Sequence, residues 1–266
     1  MNDQVEKHLR AYGKSKNLAS RKGLYAYTTG PAIIELMIRF LKPFIGMSVL
    51  DAGCGYGDNL IELVKRFTPT RAVGFDQSEG QIADARKSAE EAGLPINFLV
   101  DDVETFDLSE TFDRILVSHV LHVPENREKA LETILKHLAP GGVALFLLHS
   151  DLNLQKRAAW NTWLLETYGI KKSTRWEDFT VESSRELFAS LPYAVHETLV
   201  DDSVELTAPE PYTEYLESTR HRCEPAPTDE QWQAYLNHAR DEMEDEIEKN
   251  GSFVDPTMYG FVTVTK

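Results

Sequence analysis

The stretch VLDAGCGYGDNL, residues 49–60, decides the fold. Its opening residues are apolar and strand-like, Gly53, Gly55 and Gly57 follow at alternate positions, and a run with helical spacing begins at Asp58. Glycine has no Cβ, so such a loop can turn sharply and bring its backbone close to a ligand. The helix that follows aims its first unbonded N–H groups into the same space. Strand, glycine loop and helix together predict a seat for a nucleotide-like ligand at a strand end. The loop alone does not say which ligand, because dinucleotide-binding folds use a similar one, and its plainest reading is a tight turn.

Working outward, RAVGFD (71–76) reads as the next strand and ends in Asp76, 25 residues beyond Asp51. A carboxylate there is placed to accept both hydroxyls of a ribose, or else serves as a turn acid. Further strands are expected at NFLV (97–100), RILVSH (114–119) and VALFLLHS (143–150), with helices over about 58–67, 79–92 and 126–138. This alternation predicts an α/β fold with a parallel sheet and helices on its faces. Ser78 and Gln81 suggest a capping box, and LAPGGV a Pro-Gly turn closing the third helix. Upstream, Ile33, Met37, Phe40 and Leu41 form an apolar stripe in a helix bracketed by Gly30 and Pro43.

After Ser150 the rhythm changes. Helices are expected over 154–168, 183–191 and most of 209–250, with a break at Pro225 and Pro227, and strands over 195–206 and in the final TMYGFVTVTK. The expected organisation is a helical N-terminal cap (1–45), a cofactor-binding α/β core (46–150), and the end of the sheet with helical insertions forming a substrate lid (151–266).

Forty-three acidic against 28 basic residues give a formal charge of -15, a field that repels phosphate backbones. The basic clusters, Lys171-Lys172 with Arg175 and Arg220 with Arg222, are too short for a nucleic-acid track. The acidic run 241–248 reads as the solvated face of a helix whose other face carries Leu236, Ala239, Met243 and Ile247. Two cysteines cannot build a disulfide scaffold, and neither a signal segment nor a membrane-length apolar run is evident, so a cytoplasmic protein is expected.

Taken in order, VLDAGCGYG, AVGFD, FLVDDVETF, FDRILVSHVLHV and LAPGG resemble the motif set of class I S-adenosylmethionine-dependent methyltransferases, in particular the small-molecule, type 11/25-like members. The resemblance covers residues 48–150. It implies a Rossmann-like, seven-stranded, mostly parallel sheet with an antiparallel last strand, and S-adenosyl-L-methionine as cofactor. On this resemblance Asp51 and the backbone through Gly53, Cys54, Gly55 and Gly57 line the methionine portion, the Cys54 side chain being there for packing. Asp76 takes the ribose hydroxyls and Gln77 lies beside the adenosine. Asp102 receives the adenine amino group, with Asp101 exchanging roles under a one-residue shift, and Val103 offers an amide and an apolar edge. Ser118 and His119 adjoin the methionine portion and substrate. In the N-terminal segment, Arg21 would meet the cofactor carboxylate and Tyr27 would cover the methionine portion.

A sulfonium methyl is already activated, so the protein chiefly has to position an acceptor, and a base is needed only where the acceptor sheds a proton. His119 and His122 stand where a base would be expected. Trp160, Trp163, Trp176 and Phe179 could wall an aromatic or polyketide-like acceptor or simply pack. Arg157, Arg175, Arg220 or Arg222 could instead clamp a carboxylate. The expected activity is O- or C-methylation of a small aromatic or polyketide-like molecule, with carboxyl O-methylation of a small organic acid as the alternative. A catalytically inactive cofactor-binding protein and a nicotinamide-dependent oxidoreductase are the readings from other classes. No metal, nucleic-acid or membrane partner is expected, and a homodimer is the one assembly considered. No Asn/Asp-Pro-Pro-Tyr/Phe motif follows the fourth strand.

Overall fold

The computed structural model describes residues 23–172 and 179–266, so Arg21, Arg175 and Trp176 lie outside the described residues. In chain order the elements are α1 (Ile33–Leu41), β1 (Ser48–Ala52), α2 (Asp58–Phe67), β2 (Arg71–Asp76), α3 (Glu79–Glu91), β3 (Asn97–Val100), β4 (Phe112–Ser118), α4 (Arg127–Lys136) and β5 (Leu138–His149). There follow α5 (Gln155–Tyr168), β6 (Lys171–Lys172), α6 (Arg185–Ala189), β7 (Ala194–Leu206), α7 (Glu210–Glu217), β8 (Cys223–Glu224), α8 (Asp229–Asn250) and β9 (Phe253–Thr265).

Seven strands form one sheet in the order β3-β2-β1-β4-β5-β9-β7. The first five pair in parallel, whereas β9 runs antiparallel to β5 from Val143↔Thr265 to His149↔Tyr259. This is the Rossmann-like, mostly parallel architecture expected from the sequence. Because β1 pairs with β2 on one side and β4 on the other, the strand order reverses there, and a crevice at the carboxyl ends of β1 and β4 follows from the topology.

The chain divides into two compact units. Of the described residues, the sheet unit comprises 32–151, 179–200 and 259–266. Its strands bury both faces, as central parallel strands must: Leu50, Phe75, Ile115, Val117 and Phe146 are closed off from solvent. Helix α2 buries Leu60, Ile61, Leu63 and Val64, and α4 buries Ala130, Leu131, Ile134 and Leu135, each a stripe at helical spacing. Helix α1 turns Leu36, Met37 and Leu41 inward and sets Phe40 against Phe261 at 4.8 Å, while Ile33, expected on that stripe, is half-buried.

Two local expectations need correction. LAPGGV is not a turn. Leu138 pairs with Phe112, the register then shifts before Arg114↔Val143, and Gly141 (φ +75°) donates its N–H to the Lys266 carbonyl at 2.8 Å. The segment is an irregular, bulged strand entry, in which β5 advances from 138 to 143 while β4 advances only from 112 to 114, and Gly141 takes the positive φ. At α3 the box is half formed. Ser78 accepts from the Gln81 N–H, but the Gln81 side chain packs against Gly55 instead of returning to the cap. A reciprocal box occurs at Thr228 and Gln231, opening α8.

Of the described residues, the helical unit comprises 23–31, 152–172 and 201–258, and β7 and β9 contribute residues to both units. Its core holds Trp160, Tyr212, Trp232, Tyr235 and Phe253. Trp160 is 1% exposed, meets Tyr212 edge-on at 5.1 Å and donates its indole N–H to Glu242 at 2.6 Å, so it is a core residue with no face left for a ligand. Trp163 stacks on His238 at 4.2 Å. Phe179 is likewise core, but of the sheet unit, lying under the Arg127 guanidinium at 4.7 Å. On α8, Ala239 and Met243 are buried as the spacing predicts. Among the described residues no helix is long and apolar enough to cross a membrane.

Candidate active site

The carboxyl ends of β1, β2 and β4 bring most of the expected residues together in the sheet unit. Asp51 lies near the end of β1 with 1% of its surface exposed, and neither carboxylate oxygen has a hydrogen-bond partner among the described residues. Burial, and secondarily the neighbouring Asp76, push its carboxyl up to about 8.

The loop beyond it is tightly fixed. The N–H groups of Gly53 and Cys54 both donate to the Phe75 carbonyl at 2.8 Å, which ties the loop to β2. Gly57 has φ +75°, and a Cβ there would lie 2.6 Å from the Phe98 ring; only glycine lets α2 start at this point. Asp76 is held from both sides, accepting from Gly55 N–H at 3.0 Å and Ser78 N–H at 2.9 Å. Burial raises its pKa and these two amides oppose the rise. The Cys54 thiol is pushed far up by burial and then by Asp51 and Asp76, which makes it a packing group and not a nucleophile.

After β3, Asp101 donates its N–H to the Asp76 carbonyl at 3.2 Å and uses its own carboxylate to hold the Asp102 N–H at 2.8 Å. Asp102 in turn caps Glu104 N–H at 2.8 Å, yet its side chain stays exposed. Val103 is half-buried against the sheet core, and Gln77 is exposed beside Asp76.

Ser118 ends β4 opposite Leu147. His119 follows with φ +54°, its N–H donating to Leu147 at 2.9 Å; a non-glycine residue held in that region is locally strained. Its Nδ1 is enclosed and without a partner among the described residues, and burial pushes the imidazole down to about 4, so the ring is neutral at physiological pH. His119 stacks on His149 at 4.3 Å, and the ring of buried His122 lies 6.2 Å from His149. His149 was not legible in the sequence as a site residue. It ends the apolar strand β5 whereas His119 follows β4, and only the β4–β5 register places the two rings together. No group of three His, Cys, Asp or Glu side chains among the described residues could hold a metal ion. Tyr27 belongs to the helical unit, where it is 46% exposed and its carbonyl accepts from Glu205 N–H at 3.0 Å.

The donor set fits an adenosyl sulfonium amino acid. A buried carboxylate with two unpaired oxygens is a receptor for a cation, a glycine loop leaves room for a ligand's chain, and Asp76 retains acceptor capacity for a diol.

Residues 49–142 match a methyltransferase domain family. A carboxy-S-adenosyl-L-methionine synthase from Nautilia profundicola is 27% identical over 62% of this chain and 72% of its own length. A ubiquinone biosynthesis O-methyltransferase from Paramagnetospirillum magneticum is 32% identical over 51% of each, so this chain spans about half of that enzyme. Among solved structures, the YcgJ protein of Bacillus subtilis superimposes with a TM-score of 0.61 over 88% of this chain and 97% of its own, at 18% identity, which speaks for the fold alone. The family match thus covers the glycine loop and the strands that follow it, residues 49–142, and the sheet around them has the Rossmann-like strand order that the sequence resemblance implies.

Proposed function

We propose that the chain transfers the methyl group of S-adenosyl-L-methionine to a small-molecule acceptor, at oxygen or carbon. The observation that carries this reading is the unpaired, buried Asp51 carboxylate at the mouth of the glycine loop. In this reading Asp51 meets the ammonium of the methionine portion, and the backbone from Gly53 to Gly57, including Cys54 and Gly55, surrounds that portion. Asp76 accepts from the ribose hydroxyls, Gln77 lies beside the adenosine, and Asp102 and Val103 take the adenine edge. Ser118 borders the transfer region.

When bound, the cofactor supplies an electrophilic methyl carbon, so the chain's task is to orient an acceptor and exclude water. His119 and His122 are the residues assigned to the acceptor. A neutral His119 accepts a hydrogen bond from an acceptor O–H and thereby aims an oxygen lone pair. As a proton store it is weak, since burial holds its pKa near 4. That weakness favours a second reading, carboxyl O-methylation of a small organic acid, in which the acceptor oxygen is already ionised.

The test is calorimetric titration with S-adenosylmethionine and S-adenosylhomocysteine, followed by a panel of phenols and carboxylic acids scored by S-adenosylhomocysteine release. Saturable binding of both nucleosides with turnover of a panel member is expected. Absence of binding ends the proposal, and binding without any turnover would make the chain a cofactor-binding protein with an idle fold.

A further inference from the structure

The two edges of the seven-stranded sheet are finished differently. At one edge β3 is only 4 residues long, and Arg86 donates Nε at 3.1 Å and Nη2 at 2.7 Å to the Phe98 carbonyl, so a side chain already occupies it. At the other, β7 has β9 on one side and no further strand of the sheet beyond it. Part of β7 is covered within the helical unit by the chain's own residues 27–29. There Thr28 bridges Val204 in antiparallel fashion, Thr29 N–H donates to the Ser203 carbonyl at 2.9 Å, and Glu205 N–H donates to the Tyr27 carbonyl at 3.0 Å. The stretch 194–200, in the sheet unit, has no such cover among the described residues.

The His196 carbonyl accepts from the Thr263 hydroxyl of β9 at 3.3 Å, which sets it on the β9 side. Strand alternation then turns the N–H and C=O groups of Val195, Glu197 and Leu199 outward. An open edge is normally guarded by lysine, proline, a bulge or a bare charge. The sequence AVHETLV (194–200) contains no lysine, proline or glycine, and Val195 and Leu199 are 36% and 39% exposed. Its one acid, Glu197, is offset by Arg185, whose Nε and Nη2 donate to the carboxylate at 2.9 and 2.7 Å.

The stretch is complementary to itself when turned about Glu197. Antiparallel pairing on a two-fold axis at that residue sets Val195 against Leu199 of the second copy, His196 against Thr198, and Ala194 against Val200. The outward backbone groups then meet as hydrogen-bonded pairs, the two exposed apolar side chains cover each other, and each Glu197 brings its own Arg185 to the axis. A slip of one residue would set outward groups against inward ones and lose the ladder.

We propose that residues 194–200 of β7 form a homodimer interface, in which two sheets join edge to edge. The occupant is a second copy because the mirror order of apolar residues about Glu197 matters only in pairing with itself. This inference stands apart from the proposed function. The formal charge of -15 opposes the approach of two copies, so association strengthens as salt screens it.

Sedimentation velocity on the full chain at about 10–100 µM, in about 0.15 M and 0.5 M sodium chloride, is expected to show a dimer that is tighter at the higher salt. Leu199→Lys and Val195→Lys, both at exposed positions, should each weaken it at least about tenfold with the circular dichroism spectrum unchanged. Cysteine reads the register, because Cα atoms of a hydrogen-bonded antiparallel pair lie about 5.5 Å apart, within disulfide reach. Under mild oxidation Glu197→Cys should crosslink to a dimer, and Leu199→Cys, facing Val195, should not; the parent with Cys54 and Cys223 is the control. A monomer at every concentration and salt overturns the proposal. So does a dimer indifferent to both lysine variants, or one crosslinked through Leu199→Cys and not through Glu197→Cys.

Discussion

Asp51 in the sheet unit and Asp255 in the helical unit are both sealed from solvent, 1% and 0% exposed, yet they are opposites. Asp255 accepts from two backbone N–H groups and the Tyr212 hydroxyl, so its carboxylate is a structural knot joining β9 to the start of α5. Asp51 accepts from nothing among the described residues. A satisfied buried acid stabilises the fold that surrounds it. An orphaned one costs the empty fold free energy, and it is retained where a ligand supplies the missing partner.

The sharpest way to break this contrast is Asp51→Asn. Removing a buried charge that meets a cation should weaken S-adenosylhomocysteine binding by at least about 100-fold. The ligand-free protein should at the same time melt no lower than the parent. Calorimetry and thermal melting on one preparation read both, and a destabilised Asp51→Asn protein would make Asp51 a structural acid like Asp255.

Next in size is a pH effect. Because the Asp51 carboxyl sits at about 8 in the folded chain and near 4 unfolded, the folded state binds the extra proton between those values. Its contribution to stability therefore declines as pH rises from about 4 to 8, with the full cost present above 8. A cationic ligand favours the ionised form and releases that proton, so affinity should rise by up to about tenfold per pH unit below 8 and level off above it. Asp51→Asn should flatten the profile.

Asp255→Asn should do the reverse of Asp51→Asn, lowering stability by about 2 kcal/mol by turning an amide against two backbone donors, with S-adenosylhomocysteine affinity intact. Urea titration of the two variants side by side compares them directly. The smallest expected effect is that of His119→Ala, a loss of about tenfold in turnover of a hydroxyl acceptor. Since the His119 ring is neutral above about 4, kcat at saturating S-adenosylmethionine should show no His119 inflection between pH 6 and 8; a kcat that collapses across that window in the parent and not in His119→Ala would restore the histidine as a titrating base.

Much of this was legible from single residues and their spacing. Gly53, Gly55 and Gly57 between a strand and a helix, and Asp76 closing the next strand, are signals written in local geometry, since φ above zero and strand length depend on the residues themselves. The aromatics were left open between walling a substrate and packing, and the structure packs Trp160 and Phe179. Trp160 and Phe179 look alike in sequence as large apolar groups outside the α/β rhythm, yet they belong to the cores of different units. An aromatic's role depends on what packs around it, and that is set by residues far away in the chain.

The sequence by itself determined the order of strands and helices, the glycine loop, the acids at the ends of β1 and β2, and the fold family these motifs resemble. The tertiary structure decided which polar groups are satisfied. That Asp51 is orphaned while Asp255 is held, that His149 stacks on His119, and that Arg222 is enclosed while Arg220 is paired are facts about neighbours brought together by sheet register and helix packing. Hydrogen-bond satisfaction and desolvation are properties of an environment, and no spacing along one strand of sequence encodes them.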